Sequence, residues 1–294
     1  MRQVKWMSTL CAASATGPAF GHGAFEHGAG WNWEPGIVLS LGATLCLYGL
    51  GWRRLLHEGN ARRVLGAARL WSFAAGMLAL GVALLSPLDT LAEESFSAHM
   101  TQHLLLMLVA PPLLVGGRPV LVWLWAFPLA QRRRIGRAWV DSRALQGTHA
   151  FLMRPLVVWL TASIALWFWH MPGPYDWALA DERVHALEHL SFFLTSLAFW
   201  TLAMEPYGHR RDGQGIALVM VATFALHSGL LGALLTFAST PLYRAYATGA
   251  FGLTPLEDQQ LAGLIMWVPA GFAYLAALAV LFVGWLARVK AYGS

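Results

Sequence analysis

Apolar and polar positions along this chain fall into long blocks. Seven apolar runs, at about 36–52, 69–86, 98–117, 155–171, 184–204, 215–238 and 260–286, each come close to the ~20 residues that cross a bilayer. Hydrocarbon offers the backbone no partner but itself, so runs of this length predict helices. The pattern therefore predicts an all-α, polytopic membrane protein with seven transmembrane helices in one bundle, over 36–288, and a short tail at 289–294. The third run departs from the others. Pro111 and Pro112 interrupt it, and PVLVWLWAF resumes after Arg118, which predicts a kinked helix followed by an interfacial or re-entrant piece.

Composition agrees, with 57% hydrophobic and 12% charged residues. The net charge of +5 does not indicate nucleic acid, because the basic residues sit in short clusters between apolar runs. Arg53, Arg54, Arg62, Arg63 and Arg69 follow the first run. Arg132, Arg133, Arg134, Arg137, Arg143 and Arg154 follow the third, Arg210 and Arg211 the fifth, and Arg288 and Lys290 the seventh. Basic residues thus recur in every second connection, which predicts that those connections are cytoplasmic. The intervening loops, SPLDTLAEESFS, PGPYDWALADE and STPLYRAYATGAFGLTPLEDQ, then face outward, with the N-terminus outside and the C-terminus inside. Residues 1–21, with Arg2 and Lys5 before a short apolar middle, resemble a signal peptide, with an uncleaved first span as the alternative. Residues 22–35 follow as an outer tail, in which His22 and His27 read as ordinary tail residues. Tryptophans flanking the runs, such as Trp31, Trp123, Trp169 and Trp267, read as an interfacial belt.

On that map the histidines divide. His57, His149 and His209 lie in cytoplasmic connections and read as surface. His99 and His103 open the third span from outside, His170 closes the fourth, His185 and His189 open the fifth, and His227 lies in the outer half of the sixth. All six belong to the outward half of the membrane, where ionisable groups are uncommon and often mark function. The segments HMTQH and HALEH each place two imidazoles at i and i+4 on one helical face, with Gln102 or Glu188 beside them. Such pairs can hold a metal in a bundle. Cys11 and Cys46 have no thiolate-site spacing, so the donors must be His, Met or carboxylate. Imidazole suits copper, zinc and iron, while the thioethers of Met100, Met107 and Met171 favour cuprous ion. Gln102 and Glu188 can instead act as hydrogen-bond acceptors behind the ligating rings.

Other chemistries are compatible with the same residues. HALEH fits the HxxEH of inverted zinc proteases, with Glu188 as base and a third ligand such as Glu257. Facing histidine pairs could hold haem b. A copper transporter is a third reading, against which few polar groups extend toward the cytoplasmic side.

The segments HMTQHLLLMLVAPPLLVGGRP, WFWHMP with HALEHLSFFLTSLAFW, and DQQLAGLIMWVPAG resemble the cytochrome c oxidase assembly factor family CtaG of the seven-span bacterial type, over nearly all of residues 36–288. The resemblance implies a non-catalytic role in the bacterial inner membrane, maturing a haem-copper oxidase. It further implies delivery of copper to that oxidase, with periplasmic copper donors as further partners. It carries His99, Gln102, His103, His170, His185, Glu188, His189 and His227 as site positions, together with Asp258, Gln259 and Gln260. The alternating basic connections predict that reporter fusions after Glu93 or Asp181 are active only as periplasmic reporters, and fusions after Arg143 only as cytoplasmic ones.

Overall fold

Every described span is helical, as a solvent without hydrogen-bonding groups demands. The computed structural model describes residues 30–58, 66–204 and 213–293. The expected leader at 1–21, His22, His27, Arg62, Arg63, His209, Arg210 and Arg211 lie outside the described residues. In order, the elements are α1 (Pro35–His57), α2 (Ala67–Leu85), α3 (Pro87–Glu94), α4 (Phe96–Leu104), a π turn (Leu105–Val109), α5 (Ala110–Gly116) and α6 (Pro119–Trp125). They continue with α7 (Leu129–Asp141), α8 (Arg143–Leu152), α9 (Pro155–Trp169), α10 (Pro172–Ala180), α11 (Glu182–Met204), α12 (Gly213–Thr236) and α13 (Pro255–Gly293). Proline opens many of these helices, at a position whose N–H would have no helical partner anyway.

Among the described residues six helices are long and apolar enough to span alone, namely α1, α2, the continuous unit Phe96–Gly116, α11, α12 and the Pro255–Ala287 part of α13, and the bent pair α8–α9 makes the seventh, fourth in chain order. The fourth is short. α9 has 15 residues, about 22 Å at the usual helical rise, and α8 precedes it across a 59° bend. The bend falls at Arg154, whose ψ of 133° is extended, because proline at the next position pushes its neighbour out of the α region. α7 and α8 correct the reading of 132–154 as a simple connection. Both are helical, with no buried residue, and carry arginines beside exposed Ile135, Trp139, Leu145 and Phe151. That mixture suits a helix lying in the membrane interface.

The irregular third span has an assignable cause. Pro111 and Pro112 have no N–H to give back to the turn before them, and the chain accommodates the defect with a π turn in which the Ala110 N–H reaches the Leu105 carbonyl. The Met107 carbonyl, which Pro111 cannot serve, accepts the Trp200 indole N–H from α11 at 2.9 Å. After Gly117, Arg118 takes a left-handed conformation with φ 48°, and the chain folds back as α6 against α1. This is the second helical piece expected after Arg118.

The two ends of the bundle differ in character. At one end, the Asn32 side chain donates to Asp89 at 2.7 Å and the Ala245 N–H to Asp176 at 3.4 Å, so the acidic connections gather there. At the other, Arg54 donates to the Ala126 carbonyl at 2.7 Å, and Arg132 lies 3.4 Å from Glu58 and over the Trp125 ring.

Two glycines set close helix contacts. A Cβ on Gly51 of α1 would lie 1.9 Å from the Val122 carbonyl oxygen of α6, and one on Gly263 of α13 would lie 2.6 Å from the Thr236 nitrogen and 2.7 Å from the Gly232 oxygen of α12. Helix association in lipid relies on such close approach. Gly263→Leu should therefore force α12 and α13 apart, at about 1–3 kcal/mol or more, lowering the temperature at which detergent-solubilised protein loses its monodisperse elution. Gly42→Ala, with nothing within 4 Å of the new Cβ, should leave it unchanged.

Candidate metal centre

The start of α4 is held in place before any histidine is reached. Ser95 caps the helix, accepting from the Ala98 N–H at 3.4 Å. Asp258, from the first turn of α13, covers the same N-terminus. Its carboxylate accepts from the Phe96 N–H at 2.7 Å, the Ser97 N–H at 3.1 Å and the Ser95 hydroxyl at 3.0 Å. A helix N-terminus favours an anion, and Asp258 is 0% exposed, so the contact locks two distant segments together. Gln102 ties the next turn sideways, donating to the Ala83 carbonyl at 2.8 Å and to Asp89 at 2.7 Å.

With α4 so fixed, His99 and His103 face α11. The ligand atoms of His99, His103 and His189 lie within 4.8 Å of one another, as do those of His99, His185 and Glu188. The four imidazoles of the two paired motifs and the Glu188 carboxylate thus converge. His99, Gln102 and Glu188 are 0% exposed, His103 3% and His170 5%. His99 Nε2 and His103 Nε2 are 2.8 Å apart, and His103 Nε2 lies 3.7 Å from Glu188.

Hydrogen bonds select the tautomer of His99. The Tyr246 hydroxyl donates to the Ala92 carbonyl at 2.7 Å, which can only accept. Tyr246 must then accept from His99 Nδ1–H at 3.0 Å, leaving the His99 Nε2 lone pair facing His103. Burial pushes the Tyr246 phenol well above its ordinary pKa, so it remains a neutral hydroxyl. The same reasoning fixes His170, whose Nδ1–H donates to the Leu166 carbonyl at 2.7 Å and whose Nε2 is left bare.

Several buried acceptor and donor positions at the centre have no hydrogen-bond partner: His103 Nδ1, His170 Nε2, His185 Nε2, His189 Nε2, both Glu188 oxygens and Gln102 Oε1. Each such atom costs about 1–3 kcal/mol unless something meets it. Imidazole nitrogens with one carboxylate are a donor set for copper or zinc, so the residues fit a metal ion. They do not leave a slot for haem, because a macrocycle between His99 and His189 would occupy the space of the His103 ring, 4.2 Å and 5.4 Å from theirs.

Other expected site residues lie elsewhere. His227 accepts the Trp167 indole N–H at Nδ1 (3.2 Å) and meets Ser163 at Nε2 (3.1 Å), so both ring nitrogens are used structurally and the residue stands outside the cluster. Met171 is 47% exposed. Asp258 spends its oxygens on α4 and is no ligand. Glu257, the third ligand considered for zinc, forms a capping box with Thr254 on the surface, accepting the Thr254 N–H at 2.8 Å and giving its own N–H to the Thr254 hydroxyl. His57 and His149 are exposed surface residues. Met100 and Met107 line a cavity beside His103. The sequence reading missed Tyr246, Tyr243 and Tyr175, which cover the histidines. Tyr243 donates to the His170 carbonyl at 2.8 Å and Tyr175 to the Tyr246 hydroxyl at 3.2 Å. Their signal was three tyrosines in connections expected to be solvated.

A seven-span helical bundle that buries a histidine cluster at one end defines a class of membrane protein, and comparison narrows it. Residues 46–288 match the family described as cytochrome c oxidase caa3 assembly factor, and the chain belongs to that family. An uncharacterized protein of Mycobacterium bovis is 24% identical over 266 residues, covering 88% of this chain and 39% of that protein. One of Mycobacterium leprae is 24% identical over 255 residues, covering 83% and 38% respectively. The chain thus spans about two fifths of the length of these curated relatives. No solved structure matches it significantly.

The clamp on α4 predicts that Asp258→Ala, by stranding buried donors at about 1–3 kcal/mol each, sharply lowers the thermal stability of the purified protein. The exposed change Glu94→Ala should have little effect in the same melt.

Proposed function

We propose that the protein takes up copper at the His99, His103, His185, His189 cluster and passes it to a haem-copper cytochrome c oxidase during assembly. One observation carries the reading: two helices bring four imidazoles and a carboxylate together, with His99, His103 and Glu188 buried and several ring nitrogens and both carboxylate oxygens lacking a hydrogen-bond partner. Such an arrangement is unfavourable for the empty protein and favourable for one that holds a cation. Family membership supplies the oxidase as client. The cargo follows from donor chemistry, since imidazole suits copper and nearby thioethers favour its reduced form. Glu188 adds a further reason. An ionised carboxylate and a cuprous ion together carry no net charge, which reduces the penalty of holding an ion inside a membrane.

In this reading Tyr246 holds His99 in the tautomer that presents Nε2, and Gln102 keeps the α4 face turned toward α11. The acidic end of the bundle faces the periplasm of a bacterial inner membrane, where copper donors can dock, and the arginine-rich end faces the cytoplasm. The protein acts as a metal-handling assembly factor rather than an enzyme. The buried position of Glu188 favours this over proteolysis, in which a peptide would have to reach the carboxylate.

Loss of ligands from a shared site should remove most binding while leaving apolar packing intact. The His103→Ala, His189→Ala double variant should insert normally, retain little copper on purification by elemental analysis, and leave cells with an oxidase depleted in copper more than in haem. Added copper should partly restore activity, because occupancy of a weakened site rises with metal concentration. His57→Ala and His149→Ala should behave as wild type. Normal oxidase copper in the double variant would overturn the reading.

A further inference from the structure

Next to the histidine cluster lies a cavity of about 40 Å³, lined among others by Met100, Met107, Met266, His103 and His170. It lies deeper in the bundle than the cluster. Met107 follows His103 by four residues, and Met266 lies eight residues, about 12 Å along the helix, beyond the Asp258 clamp. Phe224, Ser228 and Tyr274 also line it, with leucines making much of the rest. The volume exceeds what one water needs and is far too small for an organic cofactor. His170 is 5% exposed, and its Nε2 has no partner because Nδ1–H is committed to the Leu166 carbonyl. The lining therefore brings together methionines from α4, the π turn and α13 with His170, whose Nε2 has no hydrogen-bond partner.

We propose that this cavity is a second cation position, selective for cuprous ion, held by Met100, Met107 and Met266 with His170, and sharing His103 with the cluster above it. Thioethers discriminate strongly in favour of soft, reduced copper and against zinc or cupric ion, whereas the cluster of imidazoles and Glu188 accepts any of these. The π turn contributes directly, since it belongs to the segment that carries Met107 toward the cavity. The proposal deepens the copper-handling function and rests on it only for the source of the ion.

The test titrates detergent-purified full-length protein anaerobically with cuprous ion against a chromophoric chelator, and separately with zinc. Wild type is expected to bind two equivalents of cuprous ion but one of zinc, with copper–sulfur scattering in X-ray absorption. Met107→Leu, Met266→Leu, which preserves side-chain volume closely enough to keep the fold, should lose one cuprous equivalent and the sulfur scattering while binding zinc as before. One cuprous equivalent in wild type, unchanged by the methionine substitutions and without sulfur scattering, would overturn the proposal and leave the cavity to water. The histidine cluster would still stand. No zinc binding, with a single cuprous equivalent abolished by the methionine substitutions, would instead sink the cluster reading and keep the cavity.

Discussion

The carboxylate of Asp258 against the N-terminus of α4 is the contact on which the candidate centre depends. Inside a membrane a buried anion is tolerated only where donors surround it, and the first turn of α4 supplies those donors. The contact joins residues 163 positions apart. It sets how deeply α4 enters the bundle and in which rotation, and therefore where His99 and His103 point. α13, which carries the aspartate, is itself seated on α12 by glycine contacts. A carboxylate thus transmits the packing of the last two spans to the geometry of the third.

Around this anchor the polar groups follow two opposite rules. Half-buried Asp89, Asn32 and His227 and buried Tyr243 have protein partners, as polar groups in low-dielectric surroundings require. The histidine cluster breaks that rule at several atoms within one small region. A sequence under pressure only to fold would be expected to remove such atoms or match them, so their concentration at one point is what supports reading a site there.

Much of this could be read from residue order alone. Apolar run length gave the seven spans, and i, i+4 spacing gave the two histidine pairs, because both depend on local helical geometry. Local geometry says nothing about which spans touch. His227 and His170 carried the same signal in the sequence, yet one has both ring nitrogens engaged by Trp167 and Ser163, while the other keeps a bare nitrogen beside His103. Asp258 entered only as a site position implied by the family resemblance; the fold shows its oxygens turned to backbone N–H groups. The amphipathic α7 and α8 were obscured by their arginine density, which reads first as topology. The tyrosines were hidden by their place in a connection, where hydroxyls normally meet water.

That connection has a kinetic meaning. Tyr243 and Tyr246 are each 4% exposed and close the acidic end of the bundle over the histidines. The segment bearing them is pinned by Gln259, which accepts the Leu242 N–H, and by Gln260, which donates to the Ala238 carbonyl. A cover tied to α13 at two points ahead of the tyrosines is held in place, and lifting it breaks several buried hydrogen bonds together. Under the proposed function, an ion held beneath it would exchange slowly with bulk water. It would leave quickly only if another surface took over those bonds, which would tie discharge to docking rather than to chance.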